Sequence, residues 1–248
     1  MKSYIKQGDC LELMKEIPDK IVDMILCDLP YGKTACKWDK VIDFKLLWNE
    51  YIRIIKKHGA IILFGSEPFT SSLIQSNPLS FKHKWVWNKK LSGSFHLAKY
   101  MPLQITEDIV VFSSKGERVN YYPIMRQGKM RKRGGAKKCH STMNNGLKFG
   151  YFSFSDKYYP TNILEFSRNR SALFHPTEKP VELLEYLIKT YSNEGELVLD
   201  NCMGSGSTIV ACIRANRKYI GFEIEEEYYN IAKHRIKDEE KIKEKRLQ

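Results

Sequence analysis

The stretch Leu197–Thr208, with the sequence LVLDNCMGSGST, decides how this chain folds. An apolar run of strand-forming residues ends in an acid, and two glycines then precede the hydroxyl residues that can begin a helix. A buried strand that passes through a glycine turn into a helix is a building unit of parallel α/β sheets. Glycines let a ligand approach the backbone, and a helix N-terminus favours an anionic group. The stretch therefore predicts an α/β sheet with a ligand at this strand end.

Short apolar runs alternate with amphipathic stretches on both sides of this unit. Strands are predicted at Tyr4–Gln7, Val22–Cys27, Ala60–Phe64, Lys84–Trp87, Ile105–Phe112, Leu197–Leu199 and Tyr219–Phe222. Helices are predicted at Leu11–Glu16, Phe44–Lys57, Glu67–Gln75, Val181–Tyr191, Ser207–Ala215 and from Glu225 onward. Because strands alternate with helices, the pattern favours a doubly wound α/β fold with a mostly parallel sheet.

The glycine turn lacks the features of a phosphate-binding loop. Ile209 stands where the dinucleotide fingerprint has its third glycine, and no Walker-type lysine motif occurs. Glu223 closes the next predicted strand 19 residues after Gly204, a spacing suited to binding ribose hydroxyls. These features indicate a nucleoside cofactor without phosphates, and the alternative is a tight turn followed by a solvated acid.

A second strand end carries Asp28-Leu29-Pro30-Tyr31 directly after the apolar residues Ile25–Cys27, which end the predicted strand Val22–Cys27. Proline restricts the turn, so a carboxylate, a backbone carbonyl and an aromatic ring are held close together. Such a group can accept two hydrogen bonds from an exocyclic amino group while it stacks on the attached ring. The alternative is an ordinary turn, because Asp-x-Pro-Tyr is frequent by chance.

Positive charge is concentrated in one segment. The 248 residues include 41 lysines and arginines against 29 acids, which gives a net charge of +12. Ten of the basic residues and a single acid lie between Ser113 and Lys148, together with glycines and interleaved aromatics. Basic side chains neutralise phosphates and aromatics stack on bases, so this composition favours a nucleic-acid-facing loop insertion over a merely solvated loop. The mixed charges of Lys233–Arg246 favour a solvated terminal helix.

Composition also argues against several other classes of protein. No apolar stretch reaches the ~18 residues that a membrane span needs, and the N-terminus lacks a signal-peptide pattern, so we expect a soluble, cytoplasmic protein. The length suits one large domain with an insertion. A disulfide framework and a structural zinc are not expected, because no C-x-x-C pair occurs among the six cysteines, Cys10, Cys27, Cys36, Cys139, Cys202 and Cys212.

Taken together, the two strand ends resemble the DNA amino-methyltransferases that depend on S-adenosyl-L-methionine (AdoMet). The tetrapeptide Asp28–Tyr31 comes first, then the basic segment, then HPTEKP at His175–Pro180, and the glycine loop follows. This order is similar to that of the beta-class enzymes, which methylate adenine N6 or cytosine N4. Gly8-Asp9 resembles the family's acid at the cofactor adenine, and Trp87-Asn88-Lys89 resembles its late-strand tryptophan-lysine element.

The resemblance implies a seven-stranded, mostly parallel sheet of the AdoMet-dependent methyltransferase type. It divides the chain into a catalytic part at 1–112, a target-recognition insertion at 113–161 and an AdoMet-binding part at 162–248. It also implies a DNA substrate, base flipping, a homodimer and no metal. Two positions depart from the family pattern. Leu29 replaces the commoner proline, at a place where the family uses the backbone carbonyl, and Cys202 replaces the usual phenylalanine beside the cofactor.

The family motifs assign a role to individual residues of this chain. The catalytic residues are Asp28, Leu29, Pro30 and Tyr31. The residues expected around AdoMet are Asp9, Asp28, Thr177, Lys179, Asp200, Cys202, Gly204, Gly206, Ser207, Thr208 and Glu223. The residues expected to contact DNA are Lys89, Arg126, Lys129, Arg131, Lys132 and Arg133. Aspartate usually begins the tetrapeptide in adenine enzymes, so adenine N6 is the favoured target; cytosine N4 and a non-catalytic DNA-binding homologue are the alternatives.

Overall fold

The computed structural model describes residues 2–32, 39–92, 95–133, 153–167 and 178–247. The chain divides into one unit of Met1–Tyr122 with Asn162–Gln248 and a second unit of Pro123–Thr161. The second unit begins later than the predicted insertion start at Ser113. The reason is that the preceding residues are held on the first unit: the Asn120 N–H donates to the His58 carbonyl at 2.9 Å, and the Tyr122 N–H donates to the Thr190 carbonyl at 2.7 Å.

Each predicted strand and helix has a counterpart in the structure. The strands are β1 Tyr4–Gln7, β2 Val22–Cys27, β3 Ile55–Gly65, β4 Phe81–Asn88, β5 Thr106–Ser113, β6 Arg126–Arg133, β7 Ser153–Tyr158, β8 Ile163–Glu165, β9 Leu197–Asp200 and β10 Lys218–Glu223. The helices are α1 Cys10–Met14, α2 Phe44–Ile54, α3 Phe69–Ser76, α4 Val181–Tyr191, α5 Ser207–Arg214 and α6 Glu226–Leu247. Among the described residues, no helix is long and apolar enough to cross a membrane.

Eight strands of the described chain form one sheet in the order β1-β10-β9-β2-β3-β5-β4-β8. Only β5 runs antiparallel to its neighbours in this sheet, so the predicted mostly parallel α/β fold is confirmed. The predicted seven strands are joined by an eighth, β8, which pairs with β4 at the edge. Its three residues are too short for an apolar pattern to indicate a strand.

The boundary between α2 and β3 differs from the prediction. The helix ends at Ile54 instead of Lys57, and β3 begins at Ile55. Ile55 pairs with Val22 of β2, and the Lys56 ammonium lies 2.6 Å from the Asp23 carboxylate. These contacts hold Ile55 and Lys56 in the sheet. They are tertiary contacts, so the helical periodicity of the sequence cannot predict them.

The basic unit contains regular structure where the sequence predicts a loop. Strands β6 and β7 pair antiparallel as a separate two-stranded sheet. The Tyr158 hydroxyl donates to the Lys129 carbonyl at 2.8 Å, and the Arg131 guanidinium lies 5.6 Å from the centre of the Tyr158 ring. Gly128 lies against the same ring, since a Cβ there would come within 2.7 Å of it. Among the described residues of this unit, the basic residues from Arg126 to Arg133 therefore lie on a β-ribbon.

The main sheet is covered by helices on both faces. Along β2, Met24 and Leu26 pack into one apolar cluster with α4 and α5, whereas Ile25 and Cys27 pack into the other with α1 and α2. Successive side chains of a strand point to opposite faces, so a strand covered on both faces must be apolar throughout. This requirement explains the apolar run Met24–Cys27 before Asp28.

The chain reverses its direction of progress across the sheet between β9 and β2. These strands are neighbours, yet β9 leads through α5 to β10 on one side and β2 leads through α2 to β3 on the other. Ligands of open α/β sheets bind in the crevice that such a switch point leaves at the carboxyl ends of the strands. Asp200 ends β9 and Asp28 follows β2, so the two predicted strand ends lie side by side. Because β5 is antiparallel, its first residues reach the same edge.

Candidate active site

A cavity of about 620 Å³ opens at this switch point. Pockets of this size at a sheet crossover are typical ligand sites. The predicted site residues that line the cavity are Asp9, Asp28, Leu29, Pro30, Tyr31, Lys89, Lys179, Asp200, Cys202, Gly204, Ser207, Thr208 and Glu223. Thr177 lies outside the described residues. The fold therefore joins two motifs that are far apart in the chain into one site.

The first side of the cavity, the loop side, is the glycine loop with the ends of β9, β10 and β1. The Asp200 carboxylate accepts from the Cys202 N–H at 3.1 Å and from the Thr208 hydroxyl. It therefore ties the start of the loop to the first turn of α5. Burial raises the pKa of Asp200 to about 7, against the lowering effect of these hydrogen bonds.

Glu223 holds the glycine loop from the neighbouring strand. Its Oε2 accepts from the Gly204 N–H at 2.8 Å and its Oε1 from the Glu225 N–H at 2.9 Å. Burial raises the pKa of this carboxyl above its ordinary value. The Ile224 N–H is a third backbone donor to this carboxylate, and a carboxylate has about four acceptor positions, so about one remains for a ligand hydroxyl. Asp9, after β1, caps α1 by accepting from the Leu11 N–H at 2.8 Å.

Gly206 does not line the cavity, although the resemblance places it at the cofactor. Its φ is +84°, and a Cβ there would lie 3.0 Å from the Cβ of Ala232 on α6. Glycine is required at this position by the left-handed backbone and by the packing of α6.

The second side of the cavity, the carboxylate side, contains a network of charged side chains around Asp28. Asp28 Oδ1 accepts from the Tyr31 hydroxyl at 2.8 Å, and Oδ2 accepts from the Lys179 ammonium at 2.6 Å. Glu107, near the start of β5, places Oε1 3.1 Å from both of these donors. Lys89 lies 3.7 Å from the other oxygen of Glu107. Four separate segments of the chain thus meet in one network.

Burial and charge act against each other in this network. Burial raises the pKa of Asp28, and Glu107 adds to the rise while Lys179 opposes it. Burial also raises the pKa of Glu107, but Lys179 and Lys89 more than offset it, so that pKa lies below its ordinary value. Burial lowers the pKa of Lys179, but the two carboxylates raise it by more than burial lowers it. The pKa therefore lies above its ordinary value and the lysine stays charged. Two carboxylates therefore share one buried ammonium ion.

Two lysines have partners other than those the resemblance implies. Lys179, expected to contact AdoMet, bonds to the predicted catalytic carboxylate of Asp28. Lys89, expected to contact DNA, faces the cavity and has Glu107 as its partner. Both cations belong to the carboxylate side of the site.

Sequence reasoning missed two acids of the site. One is Glu107; the acidic pair Glu107-Asp108 at the start of an apolar strand was the available signal, but only the antiparallel direction of β5 brings this end of the strand to the cavity. The other is Glu178, which accepts from the Ser207 hydroxyl at 2.8 Å and lies 2.7 Å from Arg235. Glu178 thereby connects the segment before α4 to the glycine loop.

Cys202, the departure from the family pattern, packs among small side chains. Its thiol forms hydrogen bonds with those of Cys10 and Cys27, and it accepts from the Asn201 amide at 3.4 Å. The Asn201 carbonyl accepts in turn from the Tyr51 hydroxyl at 2.5 Å. The thiols of Cys10 and Cys27 thus border the position at which the family usually has phenylalanine.

An α/β sheet with a nucleoside-sized cavity beside an Asp-x-Pro-Tyr turn defines the class of amino-methyltransferases. Comparison with known proteins gives the family: the family model described as DNA methylase matches residues 22–234, and the chain belongs to this family. The DNA adenine methyltransferase YhdJ of Escherichia coli (strain K12) is 30% identical over 94% of this chain and 82% of its own length.

Solved structures show the same fold. The M1.HpyAVI–SAM complex has a TM-score of 0.63 and 24% identity, covering 93% of this chain and 98% of that chain. The PvuII DNA methyltransferase (cytosine-N4-specific) has a TM-score of 0.65 and 15% identity, covering 98% and 93%. The protein is therefore a DNA methyltransferase of the N6/N4 amino family, and its cofactor is AdoMet.

The cavity has the chemistry that this cofactor requires. Nine carboxylates and three lysines line it, and two of those lysines are paired with Asp28 and Glu107. An acidic lining attracts the sulfonium and ammonium charges of AdoMet and disfavours a polyphosphate. In the part of the chain that the structure describes, no group of three or more His, Cys, Asp or Glu side chains is placed to hold a metal ion.

Proposed function

We propose that this enzyme methylates the N6 amino group of adenine in DNA after flipping the base out of the duplex. The observation that carries the proposal is the position of Asp28, at the switch point beside the acidic cavity. An aspartate that begins the tetrapeptide and the relative named as an adenine methyltransferase both favour adenine. The cytosine-N4 enzyme among the structural neighbours keeps cytosine as the second candidate.

The proposed role of Asp28 and Leu29 is to orient the target amine. The Asp28 carboxylate and the Leu29 carbonyl each accept one N–H of the amino group, which turns the nitrogen lone pair toward the cofactor. The Leu29 side chain is buried in the core, so the backbone at this position is anchored. Bound AdoMet would supply the methyl group: its S–CH3 bond would break as the N–C bond forms, its sulfonium would become a neutral thioether, and the extra proton on nitrogen would pass to solvent. The negative charge of Asp28 stabilises the positive charge that builds on nitrogen.

Tyr31 is proposed to support the flipped base. Its ring stacks on Phe69 with centroids 4.7 Å apart, and its hydroxyl is held by Asp28 and Glu107. The ring therefore has a fixed orientation at the cavity wall. Enzymes that modify a base atom must take the base out of the stack, and an aromatic ring in the pocket can then pack against it.

The β-ribbon of the second unit is the proposed DNA contact. Arg126, Lys129 and Arg131 are exposed on β6, and Met130 and Phe154 are large apolar side chains that also face solvent. Cations bind phosphates, while apolar side chains contact bases. The side chains of Lys132 and Arg133, which belong to the same prediction, lie outside the described residues.

Analysis of the methylated nucleoside tests the reaction. The enzyme is incubated with AdoMet and unmethylated DNA, the DNA is digested to nucleosides, and these are identified by mass spectrometry. We expect N6-methyladenine. N4-methylcytosine would replace the proposed base by the second candidate, and the absence of both from a protein that binds AdoMet would contradict the proposed reaction.

A salt titration of DNA binding tests the ribbon. Replacing Arg126, Lys129 and Arg131 by alanine removes three cations, and each lost phosphate contact lowers the slope of log affinity against log salt by ~0.9. The control replaces Lys233, Lys237 and Lys241 on α6, three exposed lysines, by alanine and removes the same charge. Equal effects of the two triple variants would mean that the ribbon contributes only net charge.

A further inference from the structure

The Tyr31 hydroxyl has one hydrogen and two acceptors. It lies 2.8 Å from Asp28 Oδ1 and 3.1 Å from Glu107 Oε1. Lys179 likewise lies between the two carboxylates, at 2.6 Å from Asp28 and 3.1 Å from Glu107. Each donor is thus placed to move from one acid to the other over a few tenths of an ångström.

Asp28 already has a donor on each oxygen atom, Tyr31 on Oδ1 and Lys179 on Oδ2. Each oxygen keeps a second lone pair, but an incoming amino group that uses it shares the oxygen with Tyr31 or Lys179, and its bond strengthens if that donor moves to another acceptor. If Tyr31 lost its acceptor, a buried hydroxyl would be left unsatisfied, which is costly. Glu107 removes this cost, because it can accept the Tyr31 hydrogen while Asp28 turns to the amine.

We infer that Glu107 is a positioning residue that takes the Tyr31 hydroxyl and part of the Lys179 charge when Asp28 binds the target amine. This inference rests on the proposed function. Glu107 does not need to touch the base; it acts through Tyr31 and Lys179.

Charge balance supports a functional reason for the second acid. One carboxylate is sufficient to neutralise Lys179, and a second buried carboxylate costs free energy unless it is compensated. Lys89, 3.7 Å from Glu107, compensates it only in part at this distance. With Asp28 as its only carboxylate, Lys179 would form a neutral pair, which stabilises the developing positive charge on nitrogen less well. With Lys89 counted, the four charged side chains sum to zero and would carry +1 without Glu107, so Glu107 prevents a net positive charge beside the amine.

The first experiment measures single-turnover methylation of unmethylated bacterial DNA by Glu107→Gln. The amide keeps the size of the side chain but removes its negative charge, and a neutral amide oxygen is a weaker acceptor than the Asp28 carboxylate, so Tyr31 and Lys179 stay on Asp28. We expect the rate to fall about 10- to 100-fold with AdoMet affinity unchanged within a few-fold. Asp108→Asn is the matched control, because Asp108 is the next residue of β5 and is also paired with a lysine, Lys84, at 2.9 Å. Equal activity of the two variants would overturn the inference.

A double-mutant cycle separates this role from a structural one. Tyr31→Phe removes the hydrogen that Glu107 is inferred to accept, so Glu107→Gln should cost at least about 3-fold less in that background. A purely structural role for Glu107 predicts the same fold-loss in both backgrounds. Additive losses would therefore overturn the inference even if Glu107→Gln alone is slow.

A titration of the cofactor-free protein gives a readout that does not depend on activity. The charged or titratable groups that face Asp28 are Tyr31 from its own loop, Glu107, Lys179 and Asp200. Because Glu107 raises the pKa of Asp28, we expect Glu107→Gln to lower it, measured by carbon NMR of the carboxyl and assigned with Asp28→Asn. If the pKa of Asp28 is the same in Glu107→Gln as in the unmodified protein, the inference is overturned. If Glu107→Gln lowers the pKa of Asp28 but the unmodified protein methylates no DNA, only the proposed function is contradicted.

Discussion

The two sides of the cavity are built in different ways. On the loop side, the acids Asp200 and Glu223 bond to backbone N–H groups of the glycine loop and its flank. On the carboxylate side, Asp28, Glu107 and Lys179 bond to one another through side chains that come from three distant segments. The loop side thus depends on local backbone geometry, and the carboxylate side depends on tertiary placement of charge. Substitutions on the two sides should therefore differ in what they change.

The largest expected effect is the loss of methyl transfer in Asp28→Ala. Asp28 is the proposed acceptor of the target amine, so the rate should fall by about 10³-fold or more. AdoMet affinity, measured by calorimetry, should stay within a few-fold. Glu223→Ala on the loop side should show the opposite pattern, with weaker AdoMet binding and methylation kept at saturating cofactor. If both variants lost mainly AdoMet affinity, or both lost mainly the methylation rate, the two sides would not differ in function as stated.

Lys179→Met should have the largest effect on folding. Lys179 is buried and balances two carboxylates, and removing one partner of a buried ion network costs about 3–5 kcal/mol. Urea unfolding measures the loss. The matched control is Lys189→Met on α4, whose exposed pair with Glu185 should contribute below about 1 kcal/mol. Equal losses of unfolding free energy in the two variants would mean that the buried network does not stabilise the carboxylate side more than an exposed pair stabilises α4.

The loop side should depend on pH through Asp200. Its folded-state pKa of about 7 lies above the ordinary 3.8, so the folded protein binds the proton more tightly and stability is lost as pH rises through this range. The free energy of unfolding should fall by up to about 1.4 kcal/mol per pH unit relative to Asp200→Asn. Urea unfolding at several pH values checks this. A constant difference between the two proteins would show that Asp200 is ionised throughout.

The smallest expected effect separates two glycines with left-handed backbone. Gly195 has φ +78°, and no atom of the described residues lies within 4 Å of a Cβ at that position, whereas a Cβ at Gly206 meets Ala232 at 3.0 Å. Gly195→Ala should cost about 1–2 kcal/mol for backbone strain, and Gly206→Ala about 1 kcal/mol more for crowding. Thermal unfolding compares them. If Gly206→Ala is no less stable than Gly195→Ala yet loses AdoMet binding, Gly206 faces the cofactor as the family motif implies.

The loop side could be predicted from sequence because its interactions are short in chain distance. Gly204 and Glu223 belong to consecutive β-α-β segments, so motif spacing already places them together. The carboxylate side could not be predicted in the same way. Glu107 reaches the cavity because β5 is antiparallel, and the apolar residues from which this strand was predicted do not state its direction.

The sequence by itself determined the α/β fold, the two motif-bearing strand ends and the class of cofactor, since apolar periodicity and glycine turns act locally. Only the tertiary structure decided that Lys179 pairs with Asp28 and Glu107, that Lys89 pairs with Glu107, that Gly206 packs on α6, and that the basic segment contains a β-ribbon. The physical reason is that ion pairs and packing depend on distance in space, and a charge pattern along the chain does not state which partners will be buried together.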